Sequence, residues 1–154
     1  MSVQTAGAAV LPAELISVRV GGQLFALDIM VVREIRGWSA STPLPRAPAF
    51  VLGMINLRGA VLPVLDLALR LGLPASRPDA SSVVVVAELG GRAVGLLVSA
   101  VCDIITVAPD RVQPAPDLGE HGANELVQGV ITLDAEIVTL LDLRAALPET
   151  ELAA

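Results

Sequence analysis

The sequence is short of the residues from which most catalytic and metal sites are built. It has one cysteine, Cys102, one histidine, His121, and ten basic residues that are all arginine. A single cysteine excludes an internal disulfide, and one cysteine with one histidine cannot complete a structural zinc site. The absence of lysine excludes Schiff-base catalysis. We expect no metal or cofactor, and we predict that Cys102, in an apolar stretch, is a small buried or half-buried side chain.

Positive charge is also scarce, and long hydrophobic runs are absent. Ten basic residues stand against 16 acidic ones, which gives a net charge of −6, and no arginines are adjacent. A partner with a phosphate backbone or an anionic lipid surface is therefore not expected. Mean hydropathy is +0.72, yet the longest charge-free stretch, Met1–Ala13, is too short to span a membrane. With no positive region ahead of it, this stretch does not resemble a signal peptide, and we interpret residues 1–13 as a flexible lead-in to a cytoplasmic domain.

An internal repeat organises the chain. Gly53–Leu67 aligns without a gap on Gly129–Leu143, at an offset of 76 residues, and Val20–Leu27 resembles Leu89–Leu96 at an offset of 69. Glycine, leucine, isoleucine and aspartate recur in register, and most other pairs exchange one aliphatic residue for another. Two copies of a unit of about 70 residues explain this pattern, with a boundary in the polar segment 74–82.

Each copy is predicted to consist mainly of β-strands. Gly21-Gly22 and Gly90-Gly91 each separate two apolar runs, which favours tight hairpins. About five strands are expected in each half: 16–20, 23–27, 31–35, 54–57 and 60–65 in the first, and 83–87, 92–98, 101–105, 130–133 and 137–141 in the second. Helix is confined to short pieces at Asp66–Gly72 and, near the C-terminus, Asp142–Pro148. The predicted fold is mainly β, with two pseudo-symmetric five-stranded barrels packed together.

The repeat places two aspartates, Asp66 and Asp142, at equivalent positions, which raises the possibility of an aspartyl hydrolase. In such enzymes two carboxylates share a proton. They also need a hydroxyl residue and a glycine after each aspartate, whereas Leu67-Ala68 and Leu143-Arg144 follow here. Helix N-capping explains both aspartates more simply. Neither a dinucleotide-binding glycine motif nor a P-loop occurs, so an interaction module is favoured over an enzyme.

One stretch carries a family resemblance. Pro48–Leu67 resembles the signature of the bacterial chemotaxis coupling family CheW, which has a glycine, a short apolar link, Asn-Leu-Arg-Gly and a Pro-Val-aliphatic-Asp-Leu run. Phe25–Ile29, Val32–Ile35, Val94–Val98 and Val101–Ile104 also fit the family pattern. The resemblance covers Leu15–Leu147, and residues 14–150 are then expected to form one domain of two intertwined barrels, followed by a tail at 151–154.

The resemblance implies a function without catalysis. Members of this family are adaptors that link the cytoplasmic tips of transmembrane chemoreceptors to the regulatory domain of the histidine kinase CheA, so the chain is expected in receptor arrays at the inner face of the membrane. The receptor tip would lie in the groove between the barrels, and the regulatory domain, which has the same fold, would pair barrel to barrel. Alternatives are an adaptor in a chemotaxis-like array that controls pili, surface behaviour or development, and the aspartyl hydrolase.

By the same resemblance, Val32, Glu34, Gly53 and Arg58 are candidate receptor-binding residues. Strand alternation would place Val32 and Glu34 on one face, and Val31, Arg33 and Ile35 on the other. A half-buried strand with Glu34 at its rim is the alternative interpretation. Gly53 permits close backbone approach, or it ends a preceding helical turn.

Asn56, Leu57 and Gly59 form the groove hairpin that is predicted to present Arg58. On a tight turn its guanidinium can reach helix-end carbonyls or carboxylates of a partner, although an exposed arginine without a partner remains the alternative. The repeat places Asp134 and Ala135 at the positions of Arg58 and Gly59. The two halves thus differ at this turn, as expected if only one turn is adapted for contact.

Overall fold

The computed structural model describes residues 13–114 and 126–143, and within them it contains ten strands and one α-helix. The strands are β1 (Ala13–Val20), β2 (Gln23–Asp28), β3 (Val32–Gly37), β4 (Val51–Leu57), β5 (Ala60–Asp66), β6 (Val83–Leu89), β7 (Arg92–Val98), β8 (Ala100–Val107), β9 (Val127–Leu133) and β10 (Glu136–Leu141). Helix α1 spans Leu67–Arg70, and short 3₁₀ turns lie at Ile29–Val31 and Pro109–Arg111. None of the described helices is long and apolar enough to cross a membrane.

The ten strands form two five-stranded sheets that each draw on both halves of the repeat. Sheet A has the order β8-β1-β2-β10-β9, and sheet B has the order β3-β6-β7-β5-β4. If each strand is replaced by its repeat equivalent, the order of sheet A becomes that of sheet B, so the molecule has pseudo-two-fold symmetry. The mainly β fold of two packed five-stranded sheets is confirmed.

Each sheet curls toward closure along a seam between its two edge strands. The chain that leaves β3 bridges to β4 at Thr42 and Met54, where each backbone N–H donates to the other carbonyl at 2.9 and 2.7 Å. Gln113 and Val130 make the equivalent bridge beyond β8 in sheet A. We call these junctions seam A and seam B, after their sheets. Seam B brings residues of the edge strand β3 beside the β4–β5 turn.

Three apolar clusters hold the two sheets together. The largest joins them and contains residues of both sheets. Val18 and Leu27 of sheet A and Val85 and Leu96 of sheet B belong to it, and each is 0% exposed. A second cluster lies within sheet A, around Val138, and a third within sheet B. Because the shared cluster is the largest, the sheets bury their apolar surface mainly against each other, and burial of this kind is the dominant favourable term in folding.

Some sequence predictions need correction, and others fall outside the described residues. Cys102 is exposed rather than buried, because β8 is an edge strand that turns Cys102, Ile104 and Thr106 outward. Ala13, placed in the lead-in, already begins β1. The rest of the lead-in, His121, most of the predicted helix Asp142–Pro148 and the tail lie outside the described residues.

Candidate functional site

Glu34 and Arg58 meet across seam B. Glu34 lies on the edge strand β3, and Arg58 lies in the turn between β4 and β5, at the other edge of the same sheet. The Arg58 Nη2 donates to Glu34 Oε2, and Arg36 Nη1 lies 3.6 Å from Glu34 Oε1. One carboxylate is thus held by two guanidinium groups, so the local charge is a net positive one.

This ion pair remains accessible to a partner. The Arg58 side chain is 71% exposed, whereas that of Glu34 is 25% exposed. The hydrogen bond from Arg58 lowers the pKa of Glu34, and the hydrogen bond to Glu34 raises the pKa of Arg58. Both groups are therefore charged at neutral pH, and the largely exposed guanidinium of Arg58 has further donors that a partner could use.

The β4–β5 turn fixes the position of Arg58. Arg58 and Gly59 have φ values of 52° and 89°, the pattern of a two-residue hairpin turn whose twist matches the strands. The left-handed conformation costs arginine about 1 kcal/mol, which the surrounding turn must offset. The Asn56 Oδ1 accepts a hydrogen bond from the Gly59 N–H at 2.9 Å, and buried Leu57 anchors the strand end. The predicted hairpin around Arg58 is therefore present.

Val32 begins β3 beside this pair, next to a β-bulge. Val32 pairs with Ala87 and Glu34 with Val86, so Arg33 is the extra residue of the bulge. Val32 is half-buried against the shared core, on the face of Ala87, whereas Glu34 shares the opposite face with Val86. The prediction that Val32 and Glu34 lie on one face is therefore wrong, because the extra residue of the bulge shifts the alternation by one. Val31 departs from the predicted alternation, because it belongs to the 3₁₀ turn and also packs on the shared core.

Gly53 lets β4 approach the backbone of Thr42 at seam B. It is buried in β4 with φ at 153°, and a Cβ there would lie 2.4 Å from the Thr42 carbonyl oxygen and 2.6 Å from Ser41 Oγ. Close backbone approach is thus the correct interpretation, and the end of a helical turn is wrong, since Gly53 lies inside a strand. Segment 41–42 of this chain already covers Gly53, so Gly53 supports the seam rather than presenting a contact surface.

Sequence reasoning missed that Arg58 has an intramolecular partner. It treated Glu34 and Arg58 as separate candidates, and Arg36 was not among them. The repeat offered a signal, because Asp103 and Asp134 occupy the two equivalent positions in sheet A. Two carboxylates cannot form an ion pair, so the Glu34–Arg58 arrangement belongs to sheet B alone.

Asp66 is built into the fold. It is 1% exposed, and its carboxylate accepts hydrogen bonds from the Ala68 N–H, the Ser76 N–H at 2.9 Å and the Ser76 Oγ at 2.6 Å. It therefore caps α1, as predicted, and it also holds Ser76 of the polar segment 74–82, which we call the inter-repeat segment. A carboxylate enclosed by donors of its own chain does not face a substrate, which counts against the aspartyl hydrolase.

Comparison with known proteins identifies the family of the chain. A family model described as CheW-like domain matches residues 14–151, most of the chain. The chain belongs to the CheW-like family. It is 48% identical over 138 residues to the chemotaxis protein CheW of Rhizobium meliloti (strain 1021), which covers 90% of this chain and 89% of that protein. Chemotaxis protein CheW of Klebsiella aerogenes is 32% identical, over 86% of this chain and 80% of the relative.

The fold matches a solved CheW structure. The scaffolding protein TtCheW from Thermoanaerobacter tengcongensis superimposes with a TM-score of 0.83 at 27% identity, and the match covers 93% of this chain and 94% of that one. Protein FrzA of Myxococcus xanthus is also similar, at 31% identity over 80% of this chain and 78% of its own length. The two-sheet architecture described above is therefore that of a CheW scaffold.

Proposed function

We propose that this chain is a non-catalytic adaptor that couples the cytoplasmic tips of methyl-accepting chemoreceptors to the regulatory domain of the histidine kinase CheA. The single observation that carries the proposal is the accessible Glu34–Arg58 pair at seam B, in a chain of the CheW-like family. The adaptor would work in the cytoplasm, in receptor arrays at the inner face of the membrane.

The geometry of seam B suits a helical partner. The fixed turn presents Arg58 with donors to spare, and a planar guanidinium binds a carboxylate or helix-end carbonyls in a defined orientation. Half-buried Val32 lies two residues before Glu34 on β3 and packs on the shared core, so it would support this edge of the sheet from the opposite face. A helical tip that ends in free carbonyls or carries an acidic group would engage Arg58.

Coupling also requires that the two partners be held at a fixed relative position. The shared core packs sheet A against sheet B through residues that are almost fully buried. Closely packed interiors deform little, so a receptor at seam B and a kinase domain elsewhere on the sheets would be held in one geometry. Such an adaptor needs no reactive side chain of its own.

Reconstitution tests the proposal. Receptor, kinase and this chain are combined on membranes, and kinase activity is measured with and without the chain. We expect the chain to raise receptor-dependent kinase activity. The Arg58→Glu variant should lose most of that effect with its fold intact. The matched Arg77→Glu variant, changed in the inter-repeat segment, should retain the effect. Kinase activity that is equally high without the chain would overturn the proposal.

A second candidate keeps the adaptor and changes the pathway. The similarity to FrzA, which does not carry the CheW name, supports an adaptor in a chemotaxis-like array that controls pili, surface behaviour or development. A survey of neighbouring genes separates the two candidates. Flagellar and chemotaxis genes beside this one would favour the first, and pilus or developmental genes would favour the second.

A further inference from the structure

Seam A contains a cavity lined by described residues. Its volume is about 300 Å³, and it lies between the end of β8 and β9. Buried Val107 and Ile131 form an apolar floor with half-buried Leu133 beside them. The exposed lining residues Thr106, Thr132 and Arg111 supply its polar groups. Arg111 is exposed, and it makes no ion pair with another described residue.

The pseudo-symmetry shows which residue stands at the corresponding position in sheet B. The Trp38 N–H donates to the Ser82 carbonyl at 3.0 Å, and Val107 pairs with Ala13, which are the same positions shifted by 69 residues. Trp38 packs against the cluster of sheet B that contains Leu57, with Ile55 beside it. Ile131 and Leu133 are the repeat equivalents of Ile55 and Leu57. Val107, which lines the cavity, thus stands where the other seam has the larger indole of Trp38.

We propose that this cavity receives a bulky apolar side chain, aromatic or large aliphatic, from a partner protein, and that Arg111 pairs with a carboxylate close to that side chain on the partner. Three observations carry the proposal: the apolar floor, the indole that occupies the equivalent position in sheet B, and a guanidinium in the lining that complements a negative charge. A cavity of this size with a few polar groups at its rim is typical of a site for a small group. The site is distinct from the Glu34–Arg58 pair and does not depend on it.

N-acetyl-L-tryptophan is a suitable probe, because it combines an indole with a carboxylate. We expect it to shift the backbone amide resonances of residues 106–111 and 131–133 of the full chain. The amide-capped analogue, which lacks the carboxylate, should bind up to about fivefold more weakly, as expected for the loss of an exposed ion pair. Arg111→Gln should bind both probes equally.

Val107→Trp supplies the missing indole from within the chain and should abolish the response to the probe, with the remaining resonances unchanged. Arg111→Gln, at an exposed position, keeps the test valid if Val107→Trp fails to fold. Trp38→Val is the matched control, because it opens the equivalent position in seam B, where no arginine corresponds to Arg111, and it should leave the seam A response intact.

The proposal is overturned if saturating probe shifts no resonance of the cavity, if the shifts are confined to residues 115–125, or if Arg111→Gln still prefers the free carboxylate.

Discussion

At the scale of single residues, the Glu34 carboxylate is the group whose charge state the structure determines most directly. The hydrogen bond from Arg58, with Arg36 nearby, favours its ionised form. In an unfolded chain neither guanidinium is held beside it. The folded pKa therefore lies below the unfolded one, and the stability that the pair contributes is complete above the ordinary pKa of glutamate and is lost as pH falls through the folded pKa.

An acid titration checks this expectation. The carboxyl resonance of Glu34, followed by NMR as pH is lowered, should show a pKa below the ordinary glutamate value. In Arg58→Gln the pKa should move back toward that value, although not fully, because Arg36 remains. Arg33→Gln, which removes a guanidinium that pairs with Glu88 instead, is the matched control and should leave the Glu34 pKa unchanged. An identical Glu34 pKa in wild type and Arg58→Gln would contradict the pairing.

At the scale of elements, the backbone of β4 approaches the backbone of the segment that follows β3 closely. Gly53 is the residue that permits it, since an added Cβ would meet the backbone of Thr42. Backbone atoms cannot move aside as a flexible side chain can. We therefore expect Gly53→Ala to reduce the free energy of unfolding by about 2 kcal/mol or more, combining the clash with left-handed strain.

Thermal unfolding measures this loss. For a chain of this size, about 2 kcal/mol corresponds to a lower melting temperature by roughly 4–8 °C. Gly37→Ala is the matched control, because nothing lies within 4 Å of its added Cβ, and it should melt close to wild type. Gly129→Ala, where the Cβ would lie 2.7 Å from the Gln113 carbonyl oxygen, should be destabilised like Gly53→Ala. A Gly53→Ala protein as stable as Gly37→Ala would refute the packing argument.

Strands were the elements that the sequence predicted best, and exposure was predicted less well. All ten strands overlap segments that the sequence predicted as strands, because apolar runs and tight-turn residues are local signals. Cys102 was misassigned because its apolar neighbours suggested burial, whereas position at a sheet edge is set by strands far along the chain. The same reason hid the Glu34–Arg58 pair, which depends on two sheet edges closing at a seam.

At the scale of the whole molecule, the repeat indicated two similar units but not which strands share a sheet. From the residues alone each half could have formed its own barrel, and only the family resemblance implied that the barrels intertwine. In the structure β1 and β2 pair with β8 and β10, and β6 and β7 pair with β3 and β5. Neither half of the repeat therefore contains a complete sheet.

This exchange of strands makes folding cooperative between the halves. We expect the separate fragments 1–77 and 78–154 to show little sheet structure by circular dichroism, because each leaves apolar strand faces and edges uncovered. Mixing them should restore the sheet signal and a single unfolding transition in urea. The intact folded chain nicked after Arg77, in the inter-repeat segment, is the control and should keep its structure. A fragment that unfolds cooperatively on its own would contradict the interleaved arrangement.

Under the proposed function, seam B of this CheW-like chain recognises the receptor through the charges it displays. Exchanging the pair as Glu34→Arg with Arg58→Glu restores an internal ion pair but reverses the polarity shown to a partner. In the reconstituted receptor and kinase system, we predict that this double variant folds and yet couples as poorly as Arg58→Glu alone, whereas the matched exchange of Arg33→Glu with Glu88→Arg couples like wild type. Full coupling by the Glu34–Arg58 exchange variant would show that the pair only supports the fold, and would contradict the account.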